Sequence, residues 1–148
     1  MNFSYLASPY TVKNPISLCQ ANTVKERRYK RVIKMAAELM EQGHLIFCPI
    51  AHSHSIETIG MKGKSYDGEF WLPQDFAILQ HAKELLVFMM DGWKESDGVQ
   101  AEIDFAKSLN IPIRYLPNKA FESKRRPDSV RALREKKRLQ REGRLVAE

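Results

Sequence analysis

Glu102 is the residue whose type and setting most suit chemistry. It follows the loop Asp91-Gly92-Trp93-Lys94-Glu95-Ser96-Asp97-Gly98 and sits in the opening turns of the helix predicted after it. A carboxylate held on a rigid element suits attack on the C1 carbon of a sugar, where an oxocarbenium-like transition state draws negative charge. The helix N-terminus favours the anion, with a field that fades beyond the first turn. The same position also suits a solvent-facing glutamate. Asp91 closes an apolar strand and either faces a crevice or simply forms an Asp-Gly turn. Asp75 falls in the first turn of a predicted helix, beside its buried stripe, where a helix-dipole partner is the plain alternative. Neighbouring carboxylates split their pKa values, so that one is an acid while another is a base. Ser96 and Gly98, with the helix amides that follow, form a small anion cradle, although serine-glycine loops also cap helices without any ligand.

These residues need a scaffold that brings them to one edge. Phe3–Ala7, Leu45–Ile50, Leu85–Met90 and Ile111–Leu116 read as short strands, the second and third apolar on both faces. Helices are predicted within Ile16–Gln42, over Trp71–His81 with Pro73 in its first turn, and from Gly98 to Leu109. Ser17, or Thr23 with Glu26, caps the first, and Asp97 with Gln100, or Ser96, caps the last. Pro49 to His54 and Ser55 to Phe70 read as loop, with a possible short helix at Ile56–Ile59. Helices between strands make the sheet parallel, an α/β arrangement with its site at the carboxyl ends of the strands. Ala7–Tyr10, including Ser8 and Tyr10, then reach that edge, as do Ile50–His54, Asp91–Gly98 and the loop after Leu116.

Composition narrows the classes. An apolar fraction of 43% argues against wholesale disorder. Residues 1–120 carry 14 Lys/Arg against 13 Asp/Glu, whereas residues 121–148 carry 10 against 5, so the net charge of +6 belongs mainly to the tail. We read a body at 1–120 and a charged, helical tail at 121–148. The basic run Lys25, Arg27, Arg28, Lys30, Arg31 reads as a solvated helix face. Cys19 and Cys48 form no CxxC pair and read as free thiols in a reducing, cytoplasmic setting. No segment is long and apolar enough to cross a membrane. Neither a dinucleotide glycine motif nor a P-loop occurs. His52 and His54 lack further ligands, so we expect no metal and no cofactor, and ligand contact for His54.

Four stretches carry a resemblance: Tyr5-Leu-Ala-Ser-Pro-Tyr10, Pro49-Ile-Ala-His-Ser-His54, Asp75, and Asp91-Gly-Trp-Lys-Glu-Ser-Asp-Gly-Val-Gln-Ala-Glu102. Over residues 3–116 the chain resembles the nucleoside 2-deoxyribosyltransferase-like superfamily, and within it small bacterial and phage members. The resemblance implies a flavodoxin-like sheet with helices on both faces, and a homodimer or higher homo-oligomer. It implies Glu102 as the nucleophile at C1′, Asp75 in proton transfer or sugar orientation, Asp91 beside base or sugar, and Tyr5 supporting the nucleophile. In the branch that hydrolyses nucleoside monophosphates, the serine matching Ser96 binds the 5′-phosphate. Gly98 is kept, but Gln100 stands where that branch has a neighbouring glycine.

The expectation is hydrolysis of the N-glycosidic bond of a nucleoside 5′-monophosphate. One alternative is a transferase that exchanges bases on deoxynucleosides. Another is a nucleotide- or nucleic-acid-binding module without turnover, motivated by the basic tail.

Overall fold

The computed structural model describes residues 2–62, 64, 66–119 and 138. The expected tail, 121–148, therefore lies outside the described residues except for Arg138.

Four strands form one all-parallel sheet in the order β2-β1-β3-β4. They are β1 (Ser4–Ala7), β2 (Ile46–Phe47), β3 (Glu84–Met89) and β4 (Ile113–Pro117). β1 pairs Ser4 with Ile46 on one side, and Ser4 to Ala7 with Glu84 to Val87 on the other. The chain thus leaves β1 for one neighbour and returns to the opposite side. This order matches the opening of the flavodoxin-like winding, whose crevice lies where the winding reverses, here between β1 and β3.

Alternation along the strands sends side chains to two cores. Leu6, Leu86 and Phe88 pack with Val32, Met35 and Leu39 of α1 (Leu18–Glu41). Tyr5, Ala7, Leu85 and Val87 pack with Leu79 of α3 (Gly68–Leu79) and with Val99, Ile103 and Ala106 of α4 (Asp97–Ser108). Both faces are covered by helices, and the apolar run of β3 has no wet face to alternate toward.

The element ends differ from the sequence reading in instructive ways. Ser17, not Thr23, caps α1, accepting from the Gln20 amide at 3.1 Å. Thr23 lies inside the helix, with its hydroxyl on the Cys19 carbonyl. β2 is only two residues long because Pro49 opens a helix, α2 (Pro49–Ser55), which continues into a π-helical turn over Ile56–Gly60. The segment expected to be loop is thus helical. Proline at a first helical position lacks only an amide that would have been unpaired there. α3 starts at Gly68 because Asp67 accepts from the Phe70 amide at 3.2 Å. Pro73 therefore lies inside α3 rather than in its first turn. Ser96 caps α4, accepting from Val99 at 3.3 Å, whereas Gln100 turns back to the Trp93 carbonyl instead of closing a box with Asp97.

The basic run on α1 is more than a wet face. Arg28 donates to the carbonyls of Thr11 and Asp91 and so ties together the loops after β1 and β3. Gly92, at φ 89°, lies against that guanidinium, which a Cβ would strike. Arg31 lies over the Phe88 ring at 4.8 Å, and Lys25 pairs with Glu57 at 3.0 Å. No helix among the described residues is long and apolar enough to cross a membrane.

Candidate active site

A cleft of about 850 Å³ opens at the carboxyl edge of the sheet. That is within the range of small-molecule sites. One wall comes from α3 and α4. The other comes from α1, α2 and the π-helical turn, and the residues after β1 lie between them.

Glu102 is the deepest charged group of the first wall, 5% exposed. Tyr5, fully buried, donates its hydroxyl to Glu102 Oε1 at 2.6 Å. With Ser96 as the cap, Glu102 is in the second turn of α4, beyond the reach of the helix N-terminus. The expectation that the helix keeps it ionised is corrected on this point. Burial pushes its pKa up to about 8, the Tyr5 hydroxyl opposes the rise, and the Asp75 charge adds to it. Asp75, partly buried on α3, also lines the cleft, and burial raises it to about 7. Burial, followed by the charges of Glu102 and Asp75, drives Tyr5 well above its ordinary value. Two acids and a phenol thus share one poorly solvated corner, with the tyrosine confined to its donor form. Such a corner holds a proton at neutral pH and gives it up when a positive charge develops nearby.

Ser8 follows β1 into the cleft. It is 6% exposed, and its Oγ has no hydrogen-bond partner among the described residues. A buried hydroxyl without a partner is uncommon in a settled core and usual where a ligand supplies one. Ser96 and Gly98 also line the cleft. Ser96 Oγ accepts the helix amide, which leaves its own proton for another acceptor. Beside them Lys13 pairs with Asp97 at 2.8 Å, both side chains largely exposed.

On the second wall Tyr10 and His54 meet, hydroxyl to Nδ1, at 2.6 Å. His54 Nε2 lies 3.2 Å from Glu26 Oε2, and the ring stacks on Tyr29 at 3.8 Å. Glu57, 5% exposed, is met by Lys25.

Of the residues chosen from sequence, Tyr5, Asp75 and Glu102 come together, and Ser8, Tyr10, His54, Ser96 and Gly98 line the same cleft. Asp91 does not join them. Its side chain is exposed and outside the cleft, and its backbone carbonyl serves Arg28. The turn that Gly92 permits is what β3 needs at that point. Lys25, Glu26 and Glu57 were not singled out as site residues. Their one sequence signal is that Lys25 and Tyr29, four apart on α1, share a helical face. Among the described residues no cluster of three or more His, Cys, Asp or Glu is arranged to hold a metal ion.

A comparison with curated proteins found no match. A family model matches residues 2–116, a span that contains β1 to β3, all of β4 but Pro117, every helix named above and the whole cleft. The chain belongs to the family described as Domain of unknown function (DUF1937).

Proposed function

We propose that this protein hydrolyses the N-glycosidic bond of a nucleoside 5′-monophosphate. The observation that carries the reading is the buried Glu102, held by Tyr5 at 2.6 Å in the same corner as Asp75. In this reading Glu102 in its carboxylate form attacks C1′. The C1′–O bond forms as the C1′–N bond breaks, and the leaving base takes the proton carried by Asp75. Water then attacks C1′, gives a proton to Asp75 and releases Glu102. The Tyr5 hydroxyl keeps one Glu102 oxygen occupied, so the other is the attacking atom. Between pH about 7 and about 8 the two carboxyls hold one proton between them, and the reaction draws on the arrangement that places this proton on Asp75.

Ser96 and Gly98, at the start of α4, support a phosphate position, because unpaired helix amides bind anions. Ile16, Leu18 and Ile59, exposed by 91%, 76% and 80%, support self-association. A monomer mass by light scattering removes that part alone.

The test is incubation of purified protein with nucleoside 5′-monophosphates, followed by chromatography for free base and pentose 5-phosphate. Both products are expected in equal amounts, and their absence across all common bases overturns the reading. A second base added to the reaction gives a new nucleotide only if a transferase is at work.

A further inference from the structure

Cleavage by Glu102 leaves the second wall unexplained, although it carries a chain of polar groups that ends on one tyrosine. Glu26 in its carboxylate form only accepts hydrogen bonds, so His54 Nε2, 3.2 Å away, must carry a hydrogen. A neutral imidazole then has a bare Nδ1, and this nitrogen accepts the Tyr10 O–H at 2.6 Å. The ring stacks on Tyr29, 3.8 Å away and 15° from parallel, and a half-turn within that plane would put carbons where both nitrogens stand, losing both contacts. Other charges face this chain: Lys30 lies 3.7 Å from Glu26, and Lys25 lies 5.1 Å from the centre of the Tyr10 ring while pairing with Glu57. Burial, and then the charges of Glu57 and Glu26, keep the Tyr10 phenol well above its ordinary pKa, so it retains its proton. That proton is committed to His54. The Tyr10 oxygen offers the cleft lone pairs only.

We infer that the Glu26–His54–Tyr10 chain fixes Tyr10 as a hydrogen-bond acceptor in the cleft, and so selects nucleotides whose base presents an exocyclic amino group. The inference rests on the nucleotide reading above and adds the class of base. Val12, Trp71 and Leu72 give the same cleft an apolar and aromatic lining that suits the face of a heterocycle. On such a ring the amino group is the N–H donor that projects beyond the outline. An oxo group in its place would set two acceptors against each other with no proton between them. Tyr10 is the contact residue, whereas His54 and Glu26 act through it as positioning residues.

The experiment is calorimetric titration of the full chain carrying Glu102→Gln, which cannot consume its ligand. The probes are matched pairs of 5′-monophosphates, adenosine against inosine and cytidine against uridine. In at least one pair the amino nucleotide is expected to bind at least about tenfold more tightly, the discrimination one mismatched hydrogen bond supplies. Tyr10→Phe brings the two members of that pair to within about twofold of each other. Glu26→Gln keeps the phenol but no longer fixes the tautomer, because a side-chain amide can donate to Nε2 as well as accept from it. Nδ1–H can then donate to Tyr10, whose freed proton turns toward the cleft, and the preference for the amino nucleotide falls. A merely structural Glu26 would weaken both members equally. Equal binding within both pairs, or a preference unchanged by Tyr10→Phe, overturns this inference and leaves the nucleotide reading standing. Failure of all four probes to bind overturns both.

Discussion

Glu57 and Glu102 are equally hidden, each 5% exposed, and line the same cleft, yet they are built differently. Glu57 meets the Lys25 ammonium at 3.0 Å, within a wall whose acids have cations or imidazole beside them. Among the described residues Glu102 meets a phenol and faces a second acid. A buried carboxylate without a cation either protonates or destabilises the fold. The proposed hydrolysis, which needs one carboxyl to hold a proton and another to attack as a carboxylate, would draw on that discomfort.

The comparison breaks first on activity. Glu102→Gln is expected to lower base release by at least about 10³-fold, the scale of losing a nucleophile. A smaller loss in a steady-state assay would place the nucleophile elsewhere. On stability the two acids should part. Glu57→Gln removes the negative charge that faces the Lys25 ammonium and is expected to lose about 3 kcal/mol, or about 10 °C in Tm. Glu102→Gln should raise Tm at pH 8. If both substitutions move Tm in the same direction, the contrast between the walls fails.

The pH dependence sharpens the point. Glu102 and Asp75 have folded pKa values of about 8 and about 7, above the ordinary 4.5 and 3.8. The native chain therefore binds more protons than the unfolded chain through that window, and stability falls as pH rises from about 5 to about 8. Glu102→Gln removes its share of the fall. The Tm advantage of that variant should widen by roughly 5 °C per pH unit, from about 1.4 kcal/mol per unit. Calorimetric scans at three pH values check this, and parallel curves would contradict it. Activity should follow a bell with limbs near pH 7 and 8. Tyr5→Phe, which removes the donor that opposes the Glu102 shift, should move the alkaline limb upward by about half a unit. The smallest effect belongs to Lys13→Met, which breaks the exposed pair with Asp97 and should change Tm by less than about 2 °C.

Much of the lining of the cleft was legible in the chain. Glu102 and Asp75 were found from the helices that carry them and from a resemblance spanning Tyr5 to Glu102. Ser8, Tyr10, His54, Ser96 and Gly98 were reachable because a parallel sheet sends the loops after its strands to one edge. Asp91 was misread because a strand end fixes where a residue lies but not which way its side chain turns. Pro49–Ser55 was taken for loop because a helix of that length shows too little periodicity to declare itself. Lys25 and Glu57 were passed over because their pairing spans 32 positions and leaves no local pattern.

By itself the sequence determined the parallel α/β class, the helix that bears Glu102 and the existence of a two-sided core. Apolar periodicity and capping residues act over a few neighbours, so contiguous segments encode them. Only the tertiary structure decided the strand order, the pairing of Tyr5 with Glu102 across 97 positions and of Tyr10 with His54 across 44, and the proton held by the acidic corner. Those depend on burial and on charges that meet through space, and neither exists until the chain has closed on itself.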